Sequence, residues 1–269
     1  MYANSANNGP VGDAFVTEFL PYLDRHYRTN GGRLLRGHSS GGYAVVYLLT
    51  HYPKLFAGGN ASATDPVDFQ SFVGTNLYIA TRRVPFIDTV SVEQKPPVEV
   101  VYDRPSIAHS VEEVLYRGEQ DASFDAVFSP RGRRGQPLPL CNPATGAINR
   151  AVFAHWQRYD LTRHVRQHWA RLRPDLNGKL RISVGTEDTY LLNQPVQLME
   201  QEMKALGAAM PFAYYPGTHV TVFSPLTARA KKPGCKKRTS GGRPGASPAA
   251  SQLPWQKQRA GWRTFAPPR

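Results

Sequence analysis

The residues best placed for chemistry lie in the segment Gly37-His38-Ser39-Ser40-Gly41, where a serine is flanked by glycines. This spacing is typical of a sharp turn between a strand and a helix, which exposes the serine hydroxyl as a nucleophile. The start of the following helix also favours negative charge beside the serine. We therefore predict that Ser39 attacks an acyl carbon and that the Ser40 amide helps to bind the oxyanion. The alternative is a Ser/Gly turn without chemistry.

A serine nucleophile needs a neighbouring base, and the base needs a carboxylate that orients it. Two late segments supply these groups. The strand pattern over 180–184 is followed by Asp188, and the strand pattern over 211–215 is followed by His219. The chain order serine, acid, histidine, with the last two placed after successive strands, favours Asp188 as the acid and His219 as the base.

The sequence also contains other acids and histidines that could take these roles. Asp188 could instead only cap a following helix, because Asp is common at helix starts. Its neighbour Glu187 is expected to point elsewhere. Asp65, which follows an earlier strand pattern, is the second choice for the acid, and Asp160 is a weaker one inside a predicted helix. The other histidines lie in helical patterns, in the serine turn or in an irregular segment: His26, His38, His51, His109, His155, His164 and His168.

The elements around the serine turn follow a repeating pattern. Apolar residues at helical spacing predict a helix over 13–28, kinked at Pro21, and a short strand over 33–36 leads into the turn. An apolar helix over 41–49 and a strand over 56–62 come next. Alternating strands and helices indicate an α/β fold with a mostly parallel sheet and flanking helices.

The second half of the chain begins with a less regular region over 65–150, which we expect to be an excursion able to cover the site. A strand over 98–102 and a helix over 106–116 are predicted within it. Two longer helices are predicted further on, over 148–173 and 194–206.

The net charge of +13 is concentrated at one end of the chain. Eleven Lys and Arg residues and no Asp or Glu lie in 227–269, so residues 1–226 carry a charge of about +2 and are not a basic nucleic-acid-binding domain. The last segment is rich in Pro, Gly and Ser and has no apolar periodicity. We predict two parts: an α/β domain over 1–226 and a disordered basic tail over 227–269.

Several other kinds of function find no support in the sequence. The two cysteines make neither a disulfide scaffold nor a zinc site, and no metal-binding or phosphate-loop motif is present, so no metal and no cofactor are expected. No apolar stretch is long enough to span a membrane. The first residues lack the features of a signal peptide, so the sequence leaves the localisation open, with the cytoplasm as the default and secretion possible if a leader precedes them.

Several segments resemble the putative esterase family of the α/β-hydrolase fold, which includes esterase D-like and enterochelin esterase-like proteins. The resemblance covers roughly residues 2–225 and is carried by these segments: Ala3-Asn4-Ser5-Ala6-Asn7-Asn8-Gly9-Pro10, Phe19-Leu20-Pro21-Tyr22-Leu23, Gly37-His38-Ser39-Ser40-Gly41-Gly42, His51-Tyr52-Pro53-Lys54-Leu55-Phe56, Tyr159-Asp160-Leu161, Gly185-Thr186-Glu187-Asp188-Thr189-Tyr190-Leu191 and Pro216-Gly217-Thr218-His219. By this resemblance Ser39 is the nucleophile, Asp188 the acid and His219 the base.

The resemblance also implies early strands before the first helix and a closing helix after the base. Neither is found here, so we expect the domain to be incomplete at its N-terminus and the basic tail to replace the last helix. The missing strands normally carry a second oxyanion-hole donor, and losing one such donor costs about 10² to 10³ in rate.

Three functions follow as hypotheses. The first is a serine carboxylic-ester hydrolase that acts on a small-molecule ester through an acyl-enzyme. The second is a truncated remnant that keeps the fold but is impaired or inactive. The third is binding of nucleic acid or an anionic surface by the tail. A solvated tail without a partner explains the same cluster of Lys and Arg more simply. The sequence leaves the acyl group, the alcohol and the oligomeric state open.

Overall fold

The computed structural model describes residues 1–83, 87–90, 98–101, 119–142 and 145–221. The helices are α1 (Val11–Ala14), α2 (Leu20–His26), α3 (Ser40–His51), α4 (Glu119–Phe128), α5 (Arg150–Trp156), α6 (Leu161–Leu176) and α7 (Asn193–Ala205). The strands are β1 (Leu34–His38), β2 (Gly58–Ser62), β3 (Ile87–Val90), β4 (Val98–Val101), β5 (Leu180–Gly185) and β6 (Phe212–Tyr215). The predicted helix over 106–116 and the predicted tail over 227–269 lie outside the described residues.

Four strands form a sheet in the order β1-β2-β5-β6, and all three pairings are parallel. This arrangement, with helices between consecutive strands, confirms the predicted α/β class. Strands β3 and β4 pair with each other as an antiparallel ribbon, and β4 coincides with the strand predicted over 98–102. In the described part of the chain β1 pairs only with β2, so its other side is an edge.

Helix α3 lies directly against one face of this sheet because a glycine on β2 leaves room for it. A Cβ atom on Gly59 would lie 2.6 Å from Leu49 and 2.7 Å from Val45, both on α3. The neighbouring strand β5 turns its apolar residues to the core, where Ile182 is almost fully buried. This close packing places the N-terminus of α3 at the carboxyl end of β1.

The opposite face of the sheet carries a polar row across three strands. In the strand register Arg36 of β1 is paired with Asn60 of β2, and Asn60 is paired with Arg181 of β5. All three residues are exposed. Paired residues of neighbouring strands point to the same side of a sheet, so two arginines flank one asparagine on a solvent-facing surface.

The helix predicted over 13–28 exists as three consecutive segments between residues 11 and 26. Helix α1 is followed by a π-helical turn over Phe15–Phe19 and then by α2. Pro21 lies in the first turn of α2, where a backbone N–H has no hydrogen-bond partner within that helix, so the proline removes no bond from it. π-helical turns are rare, and most of them occur as single turns inside an α-helix, as here.

The helix predicted over 148–173 is divided at Asp160, which corrects the placement of this residue inside a helix. Helix α5 and a 3-10 turn over Gln157–Tyr159 come before it, and α6 begins after it. The Asp160 carboxylate accepts hydrogen bonds from the backbone N–H groups of Arg163 and Phe69. Asp160 is therefore a buried N-cap that joins two segments, and not a residue of a helix face.

Part of the irregular region packs into an aromatic cluster. Phe69 and Phe72 contact Trp156 of α5 at ring-centroid distances of 6.0 and 5.4 Å, and Phe128 of α4 contacts the same indole at 5.1 Å. The Trp156 indole N–H donates to the Ser129 hydroxyl at 2.8 Å, so its polar atom is satisfied. The described part of this region therefore contributes to the core.

Candidate active site

The serine turn has a backbone that only small neighbours permit. Ser39 has φ 56° and ψ −124°, outside the regions that most L-residues adopt. A Cβ atom on Gly37 would lie 2.0 Å from the carbonyl oxygen of Gly41, and one on Gly42 would lie 2.9 Å from that of Ser62. A Cβ on Gly41 would meet open space, so Gly37 and Gly42 are the glycines that this turn requires.

Hydrogen bonds continue from the sheet through Ser39 into the helix. Its N–H donates to the Ser62 carbonyl at 3.0 Å, which extends the β1–β2 ladder by one residue. Its own carbonyl accepts from Tyr43 N–H at 3.1 Å and so begins α3. The Ser40 amide lies in the first turn of α3, where N–H groups have no partner within the helix and favour negative charge.

The structure brings Asp188 and His219 into direct contact although they are 31 residues apart. The Asp188 Oδ2 atom lies 2.9 Å from Nδ1 of His219, and both residues are buried. The other carboxylate oxygen accepts from the backbone N–H groups of Tyr190 at 2.9 Å and Leu192 at 3.3 Å. These bonds fix the carboxylate, and the carboxylate in turn fixes the orientation of the imidazole.

The two loops that carry this pair are joined by close backbone contacts. The Glu187 N–H donates to the Gly217 carbonyl at 3.0 Å, and Thr186 N–H donates to the Tyr215 carbonyl at 2.8 Å. A Cβ atom on Gly185 would lie 2.3 Å from the Gly217 oxygen. Glycine at the end of β5 therefore allows the acid loop and the histidine loop to approach each other.

Aromatic rings hold the His219 imidazole on two sides. The Tyr190 ring meets it edge to face with centroids 4.8 Å apart, and the His38 ring lies at 4.6 Å. His38 directly precedes Ser39, so this contact places His219 beside the serine turn. Burial, and then the nearby His219, lower the pKa of His38, which favours a neutral ring there.

The Ser39 hydroxyl donates to Oδ1 of Asp65 at 3.4 Å, which is a long contact. Among the described residues this is its hydrogen-bond partner, and it makes no hydrogen bond to His219. Asp65, the second choice for the acid in the sequence, therefore contacts the serine turn, while Asp188 contacts the histidine. No pattern in the sequence indicates the Ser39–Asp65 contact, because it depends on a tight turn after β2.

Three of the other histidines pack between α3 and α6. His51 stacks on Tyr47 with centroids 3.9 Å apart and on His164 with centroids 4.2 Å apart. The His164 ring also contacts His168 at 4.7 Å. These rings belong to the interface between two helices.

A comparison with protein families identifies the chain. The model of the family described as "Putative esterase" matches residues 13–224. The chain belongs to this family. The match confirms the resemblance found in the sequence. The parallel sheet of this esterase-family chain agrees with the α/β-hydrolase fold that the resemblance implies.

Solved structures with a similar fold include three esterases or serine hydrolases. One is a ferulic acid esterase, at 16% identity and TM-score 0.41, with 78% of this chain and 55% of that chain covered. The fluorophosphonate-binding serine hydrolase F of Staphylococcus aureus has 15% identity, TM-score 0.46 and coverage of 82% and 62%. An S-formylglutathione hydrolase of Agrobacterium tumefaciens has 17% identity, TM-score 0.41 and coverage of 82% and 57%.

The chain of this esterase-family member thus spans less than two thirds of each of those three structures. No curated protein sequence matches it. Within the described ranges no three His, Cys, Asp or Glu side chains are grouped so that they could hold a metal ion. Of the helices that the structure describes, none is long and apolar enough to cross a membrane.

Proposed function

We propose that this chain is a serine carboxylic-ester hydrolase in which Ser39, His219 and Asp188 form the catalytic triad. The observation that carries the proposal is the buried contact between Asp188 and His219 beside a strained serine turn. An imidazole held at Nδ1 by a carboxylate presents Nε2 as a base, and the carboxylate stabilises the imidazolium that forms. Membership of the esterase family supports the same chemistry.

Acylation begins when the Ser39 hydroxyl turns from Asp65 toward His219. The Ser39 oxygen attacks the acyl carbon while its proton passes to Nε2 of His219. The negative charge of the tetrahedral intermediate develops on the former carbonyl oxygen, where the Ser40 amide N–H donates to it. Collapse of the intermediate expels the alcohol, which takes the proton back from His219 and leaves an acyl ester on Ser39.

Deacylation uses the same groups with water as the nucleophile. His219 removes a proton from water, and the resulting hydroxide attacks the acyl carbon. The second tetrahedral intermediate releases the carboxylic acid, and Ser39 regains its proton from His219. The Ser40 amide is the one oxyanion donor that we assign.

Hydrolysis of a p-nitrophenyl ester tests this proposal with three variants. Ser39→Ala should abolish turnover, and Asp188→Asn should lower kcat by about 10⁴ because the imidazole loses its orienting carboxylate. Glu187→Gln is the matched control, since it changes a neighbouring acid that makes no contact with His219. Equal activity of Ser39→Ala and the parent chain would exclude the mechanism.

An inactive remnant is the competing function, and one observation favours it: the Ser39 hydroxyl rests on Asp65. The two functions differ in their reaction with a fluorophosphonate, which phosphonylates an activated serine as its fluoride leaves. Labelling of Ser39 at a rate above that of heat-denatured protein supports the esterase. A complete absence of labelling supports the remnant. The tail hypothesis concerns residues outside the described ranges and has no structural observation in its favour.

A further inference from the structure

Asp65 lies in a tight turn at the carboxyl end of β2. The turn passes through Ala63, whose φ of 38° lies in the left-handed region, and Ala63 N–H donates to the Ser183 carbonyl at 2.7 Å. Gly42 of α3 fits against this turn because a Cβ there would lie 3.0 Å from Cα of Thr64. The turn thus holds Asp65 beneath the first turn of α3, where only 7% of the residue is exposed.

Three hydrogen bonds join Asp65 to two consecutive residues of the serine turn. Its backbone N–H donates to the Ser39 carbonyl at 3.2 Å. Its Oδ2 atom accepts from the Ser40 hydroxyl at 2.5 Å, and its Oδ1 atom accepts from the Ser39 hydroxyl at 3.4 Å. A single residue therefore contacts the backbone and both side chains of the segment that carries the nucleophile and the oxyanion donor.

The charge of this carboxylate depends on those hydroxyl groups. The pKa of Asp65 is raised above its ordinary value because burial outweighs the Ser40 hydroxyl, the nearby His219 and the Ser39 hydroxyl, each of which lowers it. Hydrogen bonds to an ionised acceptor are shorter and stronger than those between neutral groups, which agrees with the short Ser40 contact. The N-terminus of α3 also favours a negative charge at this position.

We propose that Asp65 is a positioning residue that clamps the Ser39 carbonyl and the Ser40 hydroxyl, and so fixes the backbone of the turn that carries the nucleophile and the oxyanion-binding amide. Its long contact with the Ser39 hydroxyl is the one that is released when acylation begins. This inference rests on the proposed function. Asp65 acts through the two serines, since Asp188 already occupies Nδ1 of His219. The clamp holds the strained turn in the conformation that the reaction needs, where a misplacement of about 1 Å costs about 10²-fold in rate.

The test measures the rate constant for fluorophosphonate labelling of Ser39, together with kcat and KM for a p-nitrophenyl ester, in the full chain. The variants are Asp65→Ala, Asp65→Asn, Ser40→Ala and the double variant with alanine at 40 and 65. Asp65→Asn keeps one acceptor oxygen and the side-chain volume, so it remains informative if Asp65→Ala does not fold. Asp68→Asn is the control, because Asp68 is a buried acid of the same segment that contacts neither serine.

Asp65→Ala should reduce labelling and kcat by about 10- to 100-fold and leave KM within about twofold, because it alters geometry and not substrate binding. Asp65→Asn should recover part of this loss, and Asp68→Asn should match the parent chain. The double variant should lose no more than Asp65→Ala alone, because the Ser40 hydroxyl acts through its hydrogen bond to Asp65, which Asp65→Ala already removes.

The outcomes separate the two proposals. If Ser39→Ala labels as fast as the parent chain, or if the parent chain does not label at all, the proposed function fails and the clamp with it. If labelling requires Ser39 but folded Asp65→Asn and Asp65→Ala react at the parental rate, only the clamp is refuted. Additive losses in the double variant would also refute it.

Discussion

Acid should weaken this fold through His51, whose ring lies between Tyr47 and His164. Burial, and then the nearby His164, lower the pKa of His51 from 6.5 to about 4. A neutral ring in the folded state gives stability that is fully present above pH 6.5 and is lost as the pH falls toward 4. The whole effect is about 3 kcal/mol, and about 2 kcal/mol of it should be lost between about pH 7 and about pH 5.

The measurement is the free energy of unfolding in urea at these two pH values, for the parent chain and for His51→Phe. Phenylalanine keeps an aromatic ring between Tyr47 and His164 but cannot take up a proton. The variant should therefore lose about 2 kcal/mol less than the parent chain when the pH is lowered, even if its stability at pH 7 is reduced.

His26→Phe is a matched control for this prediction. His26 also stacks on the ring four residues before it, at 4.0 Å from Tyr22, and its Nδ1 lies 2.8 Å from the Tyr22 carbonyl oxygen, but it is exposed. As the exposed counterpart, this substitution shows how far the exchange of a stacked histidine for phenylalanine changes unfolding by itself. If His51→Phe and the parent chain lose the same free energy on acidification, the assignment of the acid sensitivity to His51 is wrong.

Two other predictions concern stability. Gly37→Ala should lower the free energy of unfolding by about 3 kcal/mol because its Cβ would meet the Gly41 backbone. Gly41→Ala should change it by about 1 kcal/mol or less, because a Cβ there meets open space. Thermal unfolding of both variants tests this, and equal Tm values would contradict it. Burial, and then the nearby Asp160, raise the pKa of Asp68 to about 6. The protonated Asp68 carboxyl therefore contributes stability that is fully present below pH 3.8 and is lost as the pH rises through 6. Asp68→Asn should lose about 1 kcal/mol less than the parent chain between about pH 5 and about pH 8 in urea unfolding, and an unchanged loss would count against this cause.

Much of the fold could be predicted because its elements have strong local patterns. For β5 and α3, the apolar runs and the turn residues around them predict the ends of the elements to within one or two residues. The break at Asp160 was missed because apolar residues keep a helical spacing on both sides of it. What divides the helix there is a set of bonds from Phe69 and Arg163 to the carboxylate, and one of these donors is 91 residues away in sequence.

The candidate site was predictable to the extent that it depends on strand ends. Parallel strands bring their carboxyl ends to one edge of the sheet, so Asp188 and His219 could be expected to meet once β5 and β6 were recognised. The same argument places Asp65 near this edge, but its contacts with Ser39 and Ser40 could not be foreseen. They depend on the left-handed conformation of Ala63, a residue with no special preference for that region, and the sequence therefore gives no sign of the turn.

The row formed by Arg36, Asn60 and Arg181 bears on how copies of this chain behave at high concentration. Among the residues that the structure describes, β1 is an edge of the sheet, and a second strand can pair with an exposed edge. The Cα atoms of Arg36 and Arg181 are two strand spacings apart, about 10 Å, and two positive charges on one exposed face make that surface repel an identical one. Salt shortens the reach of such repulsion to about 8 Å at 0.15 M, so association of two copies through this face should be weakest in dilute buffer.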